Sequence, residues 1–440
     1  MIRAARVVLA FAVVASAGRA AYAQAAPDLD PKIVQLVAQV SQERLTATLK
    51  QLETFGTRHT MSSTDSATRG IGAARRWIFD EFRSFSPRLQ VGFDTYVIAK
   101  QGRITRDTEA RNVMAVLPGR SPRRVYISGH YDSRSADVLD AGAAAPGVND
   151  DGSGVALTLE LARVFSQSGV EFDATLVFMC HVAEEQGLMG AKLHAQRAKE
   201  QHVVIDAVLN NDIVGNDRGG NGIVDGESIR VYSEGPEDSP SRELARYVQR
   251  WGMRYVPSHR VRLMARPDRF SRAGDHTGYN QYGFPAVGFR ESRENFTRQH
   301  DARDTFEGLS PAYLAQNARV NAAAAATLAL APERPVVTND RGQATIDGQP
   351  SGYDAHLRWK ASPGATAYRV FWREAWGPDW QHDVLVGNVT ELTLQNTLID
   401  DLVFGVAAVD ALGHESIVSP YIAPPSTAVD AGDIKTVPAR

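Results

Sequence analysis

Five residues of metal-ligand type, His130, Asp150, Glu185, Asp212 and His300, are spread over about 170 positions of the chain, and three of them follow closely on an apolar run that reads as a buried strand. Imidazole nitrogen and carboxylate oxygen are ready ligands for divalent zinc, and five such side chains can hold two ions if one carboxylate is shared. The layout therefore predicts two Zn²⁺ ions at one edge of a sheet. Glu184 has a different task. Two adjacent acids repel unless something cationic sits between them, and neighbouring residues point in different directions, so Glu185 can bind an ion while Glu184 faces the water on it. Asp132, two residues after His130, can orient that ring or its neighbours. Asp150 and Asp151 lie in the glycine-flanked turn Gly147 to Gly154 at a predicted helix start. A helix N-terminus favours anions there, either as a rigidly held metal ligand or as a plain N-cap.

The elements that must carry these residues follow from periodicity. Apolar positions at helical spacing over residues 28–54 and 67–85 predict leading helices. Short β-rich runs follow at 90–98 and 112–117, and a strand over 125–128 ends on Gly129-His130. Strand and helix then alternate: helix 153–165, strand 174–182, helix 188–198, strand 205–209, helix 241–251 and strand 285–289. Alternation of this kind predicts an α/β fold with a mostly parallel central sheet flanked by helices. In such sheets functional groups gather outside the carboxyl ends of the strands, where His130, Glu184, Glu185 and Asp212 all fall. An Ala-rich helix over 311–330 closes this part, and a linker at 331–335 leads to short β-patterned runs at 357–360, 367–373, 392–394 and 403–409. These predict a small all-β sandwich. The expected domains are 24–334 and 335–425, with a tail at 426–440.

Arg3 and Arg6, the apolar run 7–15 and the small-x-small Ala21-Tyr22-Ala23 predict a secretory leader over residues 1–23, a mature start at Gln24 and an exported protein, periplasmic or extracellular. Its removal takes three arginines and no acid, moving the formal charge from −3 to −6, a balance that invites neither nucleic acid nor an acidic membrane. No stretch approaches the roughly 18 to 20 apolar residues of a membrane span. With Cys180 as the single cysteine, no internal disulfide can form. Cys180 reads as an inert buried thiol, and His59, His181, His194, His202 and His259 as ordinary surface or core histidines.

His130-x-Asp132, the Gly147–Gly154 turn, Glu184-Glu185-x-Gly187-Leu188-x-Gly190, Asn211-Asp212 and His300-x-x-x-Asp304-Thr305 together resemble the dizinc exopeptidases of the bacterial leucyl aminopeptidase and glutamate carboxypeptidase family. The intervals of 34 residues from Asp150 to Glu184 and 27 from Glu185 to Asp212 are similar to those of the secreted aminopeptidases. The resemblance covers residues 40–330 and implies one zinc on His130 and Asp212, the other on Glu185 and His300, and Asp150 bridging them. It further implies Glu184 as general base, Asp132 as a supporting residue and a cis peptide between Asp150 and Asp151. His276, in Gly274-Asp275-His276, resembles a family segment near the site and is expected to line it without ligating.

The implied reaction is hydrolysis of peptides or proteins near a chain end, with aminopeptidase favoured on the intervals. A carboxypeptidase or dipeptidase of the same family and a glutaminyl cyclase-like acyltransferase using one zinc are the alternatives; a non-enzymatic binding protein is disfavoured because the ligands and base are present. Arg262, Arg266, Arg269 and Arg272 before His276, with Arg290, Arg293 and Arg298 after it, are expected to form a solvated basic loop. Relatives often supply a tyrosine hydroxyl to the oxyanion, in some directly before the last histidine, where this chain has Gln299; Tyr279 or an arginine could substitute. Trp359 and the runs 367–370 and 406–410 resemble a fibronectin type III domain.

Overall fold

The computed structural model describes residues 29–422; the predicted leader, the Gln24 start and the 426–440 tail lie outside the described residues. The chain opens with α1 (Pro31–Ala38) and α2 (Gln42–Thr54). Asp30 accepts the Lys32 N–H at 2.7 Å and Ser41 Oγ the Arg44 N–H at 3.2 Å. Each cap satisfies a backbone donor that the first turn leaves free, so the apolar pattern of 28–54 breaks into two helices at Ser41. Helix α3 (Gly70–Phe85) follows, then the hairpin β1 (Gln90–Ile98) and β2 (Thr108–Leu117).

From β3 (Arg124–His130) the chain alternates through α4 (Gly152–Gln167), β4 (Thr175–His181), α5 (Met189–Glu200) and β5 (Ile205–Asn211). It continues with β6 (Ser228–Ser233), α6 (Pro240–Tyr255), β7 (Arg260–Met264), α7 (Asp275–Gln281), β8 (Ala286–Glu291) and α8 (Pro311–Leu330). The eight strands form one sheet in the order β1-β2-β4-β3-β5-β8-β6-β7. Its centre, β4-β3-β5-β8, is parallel, and β1, β2 and β6 pair antiparallel at the flanks.

Parallel strands covered on both faces read as continuous apolar runs, and β3, β4, β5 and β8 are buried almost throughout. Their register is level: His130 pairs with His181, Ser128 with Asn210, and Asn211 with Phe289. The carboxyl ends of four strands therefore open onto one place. Strands β6 and β7 and helix α7 carry no periodicity that predicts them. Both strands are short and interleave arginines, and α7 is one polar segment of seven residues.

Close approach decides two glycines. A Cβ on Gly154 would lie 2.1 Å from the Asn211 carbonyl, and one on Gly129 2.6 Å from the Gly154 backbone. Only glycine lets the start of α4 rest against the ends of β3 and β5. The Ala-rich α8 is buried nearly all round, packed against α1, α2, α4 and α6.

The C-terminal part is all-β. Strands β9 (Ile346–Asp347), β10 (Ala355–Arg358) and β13 (Glu391–Leu394) form one antiparallel sheet. A second contains β11 (Ala367–Glu374), β12 (His382–Val386), β14 (Leu402–Val409) and β15 (Ser419–Pro420). Trp359, Tyr368, Val370, Phe404 and Val406 fill its core. It docks on α6: Trp380 Nε1 donates to Glu243 at 3.0 Å, Tyr247 donates to the Glu415 carbonyl at 2.9 Å, and Arg250 pairs with Glu415 at 2.5 Å. Among the described residues, no helix is long and apolar enough to cross a membrane.

Candidate metal centre

The structure brings all seven predicted site residues together. Asp150 lies between the two imidazoles, Oδ1 3.3 Å from His130 Nε2 and Oδ2 3.0 Å from His300 Nε2. Asp212 Oδ1 is 3.7 Å from His130 Nε2, and Glu185 Oε2 is 3.5 Å from His300 Nε2. Glu184 Oε2 stands 4.0 Å from His130 Nε2, beside the cluster but not bonded to it. The Asp150–Asp151 peptide is cis, as the resemblance implies.

Each side chain is aimed by a partner. The His130 Nδ1–H donates to the Asp132 carbonyl at 3.0 Å, which turns Nε2 toward Asp150 and Asp212. The Asp132 carboxylate accepts the N–H groups of Glu184 and Glu185, both at 3.2 Å, so one residue positions the β3 end and the acidic pair. The glycine turn divides its labour. Asp151, not Asp150, is the N-cap, accepting the Gly154 N–H at 2.8 Å, and it also accepts from His130 N at 2.9 Å and Ile213 N at 3.2 Å. Both Asp151 oxygens are spent on backbone, although His130, Asp151 and Asp212 lie close enough to share an ion. The hydrogen bonds make Asp150 the better ligand, because its oxygens face ring nitrogens.

Residues outside the predicted set of seven hold this arrangement. Asp304 accepts the N–H groups of Asn149 at 3.0 Å and Asp150 at 2.9 Å. Buried Arg58 donates to the carbonyls of Tyr131 at 2.7 Å and Gly147 at 2.8 Å and also to that of Pro146, tying the His130 loop to the Asp150 loop. Asn321 and Asn211 exchange amide hydrogen bonds at 2.9 and 3.1 Å, fixing the residue before Asp212 from α8. The polar residues embedded in an alanine run were the signal for that contact. Arg290 pairs with Asp212 Oδ2, donates to the Asp212 carbonyl at 2.7 Å and binds Asp268 at 3.0 Å. Arg134 donates through Nε to Glu185 Oε2 at 2.8 Å and contacts His300 Nδ1 at 2.6 Å.

Electrostatics follow from burying many acids together. Burial, with the charges of Asp212, Glu185 and Asp275, holds the Glu184 carboxyl well above its usual range. Burial and the Asp150 charge push Glu185 up to about 7. Burial pushes Asp212 up, but the Arg290 charge together with the His130 hydrogen bond and charge lowers it to about 2. Asp275, at the start of α7, is raised to about 8 chiefly by burial, and neither of its oxygens has a hydrogen-bond partner. His130 is held well above the usual imidazole value because surrounding acids, Glu184 foremost, overcome its burial.

The donor set fits zinc. His130 Nε2, Glu185 Oε1 and Asp212 Oδ1 are buried without any hydrogen-bond partner. Unpaired buried polar atoms are costly, and a cation among them removes that cost. Two imidazoles with three carboxylates are ligands zinc takes readily.

Residues 112–325 match the sequence profile described as "Peptidase family M28". A "Probable zinc metalloprotease" of Pyricularia oryzae is 38% identical over 431 residues, covering 89% of this chain and 84% of that one. A second, of Leptosphaeria maculans, is 35% identical over 433 residues, covering 90% and 98%. The chain belongs to peptidase family M28. It is a zinc metallopeptidase. The fold of this M28 peptidase is shared by the Legionella pneumophila LapA aminopeptidase, at TM-score 0.55 and 19% identity over 69% of this chain and 77% of that one. It is shared also by Porphyromonas gingivalis glutaminyl cyclase, at TM-score 0.53 and 17% identity over 64% and 97%. At these identities the likeness concerns the fold.

Two expectations for this M28 peptidase are corrected. The arginines around His276 are not a solvated basic loop. Arg290 is fully buried, Arg269 pairs with Asp268 and Glu294 at 2.8 Å, and Arg272 binds Glu294 at 3.1 Å and Gln299 at 2.8 Å. Asp268 adjoins Arg269, but Glu294 lies 25 and 22 residues from Arg269 and Arg272, and Asp268 lies 22 from Arg290, which hid the pairing. Tyr279 does not reach the centre either: it is buried, with its hydroxyl 3.3 Å from His181 Nε2. His276 is buried against Gly288, its Nε2 2.8 Å from the Pro267 carbonyl, and no contact brings it to the ligands. Burial raises the Cys180 thiol, consistent with an inert side chain.

Proposed function

We propose that this M28 peptidase is an exported aminopeptidase working through two zinc ions, one held by His130 and Asp212, the other by Glu185 and His300, with Asp150 shared. The observation that carries this reading is the Asp150 carboxylate between two ring nitrogens, one oxygen toward each. When bound, such a pair supplies a polarised carbonyl and a water whose pKa falls toward about 7. The chain's own residues do the rest. Glu184, unbonded and next to the ligands, takes the water's proton and delivers it to the leaving amine. Asp132 and Asp304 keep the ligands in register, and Arg290 holds Asp212.

Supporting an amino- over a carboxypeptidase is the surplus of acid at the centre. Beyond the ligands and Glu184, buried Asp275 has neither oxygen engaged, a setting that welcomes a substrate ammonium. Arg269, Arg272 and Arg290, which could have clamped a terminal carboxylate, are already paired. A glutaminyl cyclase-like acyl transfer on one zinc is the competing reading, since cyclases share the fold.

The substrates are unblocked peptides or proteins, with neither nucleic acid nor stable membrane insertion involved. Residues 1–23 are the export leader. The curated relatives named above are fungal, which lends nothing to a periplasmic site, so the extracellular form is preferred. The C-terminal sheets are read as a fibronectin type III-like appendage on α6.

The deciding experiment offers the zinc-loaded protein matched peptides blocked at the amino or the carboxyl end, with zinc counted per chain. Cleavage only where the amino end is free, with two zincs per chain, is expected. One zinc with pyroglutamate release, or cleavage that needs a free carboxylate, overturns the reading.

A further inference from the structure

Gln299 stands directly before the last histidine, and the other donors nearby are engaged. Gln299 donates to Glu294 at 3.1 Å and accepts from Arg272 at 2.8 Å, so both ends of its amide are taken. Arg272 is held through NH1 on Glu294 and Gln299, Arg290 is held on Asp212 and Asp268, and Tyr279 faces His181. Arg103 donates to the Glu185 backbone carbonyl at 2.8 Å from an exposed hairpin.

Arg134 is placed differently. It follows His130 by four residues, its side chain is 16% exposed, and its guanidinium is anchored by Nε on Glu185 Oε2 and by NH1 on the Ser135 carbonyl at 3.1 Å. The NH2 group lies 2.6 Å from His300 Nδ1. A neutral imidazole that ligates through Nε2 carries its proton on Nδ1. Nδ1 is then a donor, and guanidinium nitrogens are donors only. The NH2 group must therefore turn to another acceptor when His300 ligates, while Nε stays on Glu185. Arg134 is thus a fixed cation, one hydrogen bond from two groups that would hold the same ion, with N–H groups to spare.

We infer that Arg134 is the oxyanion donor of this peptidase, contributing a guanidinium N–H to the scissile carbonyl oxygen. The inference rests on the zinc peptidase reading above. The water oxygen bonds to the carbonyl carbon, its proton passes to Glu184, and the C=O π pair moves onto the carbonyl oxygen, which Arg134 stabilises. When the carbonyl re-forms, the C–N bond breaks and the amine leaves with the proton from Glu184. A donor aimed at charge that develops during reaction acts on turnover more than on substrate binding.

The test uses the full-length, zinc-loaded protein with Arg134→Ala and Arg134→Lys, an unblocked peptide anilide, and a phosphonate analogue of that peptide carrying the tetrahedral anion. For Arg134→Ala the expected result is wild-type zinc content, KM within about threefold, and kcat lower by about 10²–10³-fold. Phosphonate affinity measured by calorimetry should weaken by a similar factor, with affinity for the product amino acid unchanged. Arg134→Lys should recover part of kcat, as one donor replaces the fork. Unchanged kcat and phosphonate affinity overturn the inference. So does a loss confined to KM, which would make Arg134 a carboxylate clamp, or a loss reversed by saturating zinc, which would make it only a support for Glu185. If the wild-type protein hydrolyses no peptide with zinc, the peptidase reading itself has failed.

Discussion

Asp304→Asn tests whether the bridging aspartate is positioned by backbone capture. The Asp304 carboxylate accepts two buried N–H groups, Asn149 at 3.0 Å and Asp150 at 2.9 Å. Hydrogen bonds to a charged acceptor contribute about 1.5–3 kcal/mol each. Asparagine keeps one acceptor and turns an NH2 toward the other donor, so one bond is lost and a buried N–H is left facing a donor. The expected cost is about 2.5–6 kcal/mol, counting the lost bond and the unsatisfied group at about 1–3 kcal/mol. Asp150 loses its fixed position, and residues that orient metal ligands typically account for about 10–100-fold in metal affinity. Zinc competition with a chromophoric chelator should show that weakening. The thermal midpoint should fall with and without zinc, and activity should return partly at saturating zinc. Wild-type zinc affinity together with a lowered midpoint would refute the argument, since Asp304 would then be a fold residue that does not govern Asp150.

Glu184→Gln should retain zinc and lose almost all turnover; near wild-type activity would remove Glu184 from proton transfer. Arg290→Met leaves Asp212 buried without its arginine and Asp268 with Arg269 alone, and a loss of about 3–5 kcal/mol in urea unfolding is expected, an unchanged midpoint being the contrary result. Chelation of zinc should abolish activity and lower the thermal midpoint, because buried acids would lose their cation; a midpoint indifferent to chelation would count against metal among them. His414 bridges Asp410 at 2.8 Å and Asp30 at 2.7 Å, where those two acids raise its pKa against burial and His414 lowers that of Asp410. A raised folded pKa gives stability that is full below the unfolded value of about 6.5 and lost as pH rises through the folded value. The lowered Asp410 contribution is lost on acidification instead. His414→Gln should flatten the fall in thermal midpoint above about pH 6.5, and an unaltered slope would exclude this contact as its source.

Residue type and order along the chain were enough for the chemistry. A histidine closing one apolar run, an acid pair just past the next and an aspartate past a third must converge if the runs are neighbouring parallel strands, because their ends are level. The long alternating segments also carried the α/β assignment, since burial on both faces leaves an unbroken apolar signature. What periodicity could not convey is which distant groups meet. Asp150 and Asp151 are equivalent as neighbours in a turn, and they part only because His130, Gly154 and Ile213 present N–H groups to Asp151 while the imidazoles face Asp150. The arginines near His276 read as solvated because Glu294 reaches Arg269 and Arg272, and Asp212 and Asp268 reach Arg290, only through folding. Arg58 and Arg134 carry no local pattern, and Asp304, although part of a motif, shows no partner there, for a polar group's partner is set by where the backbone places it in space.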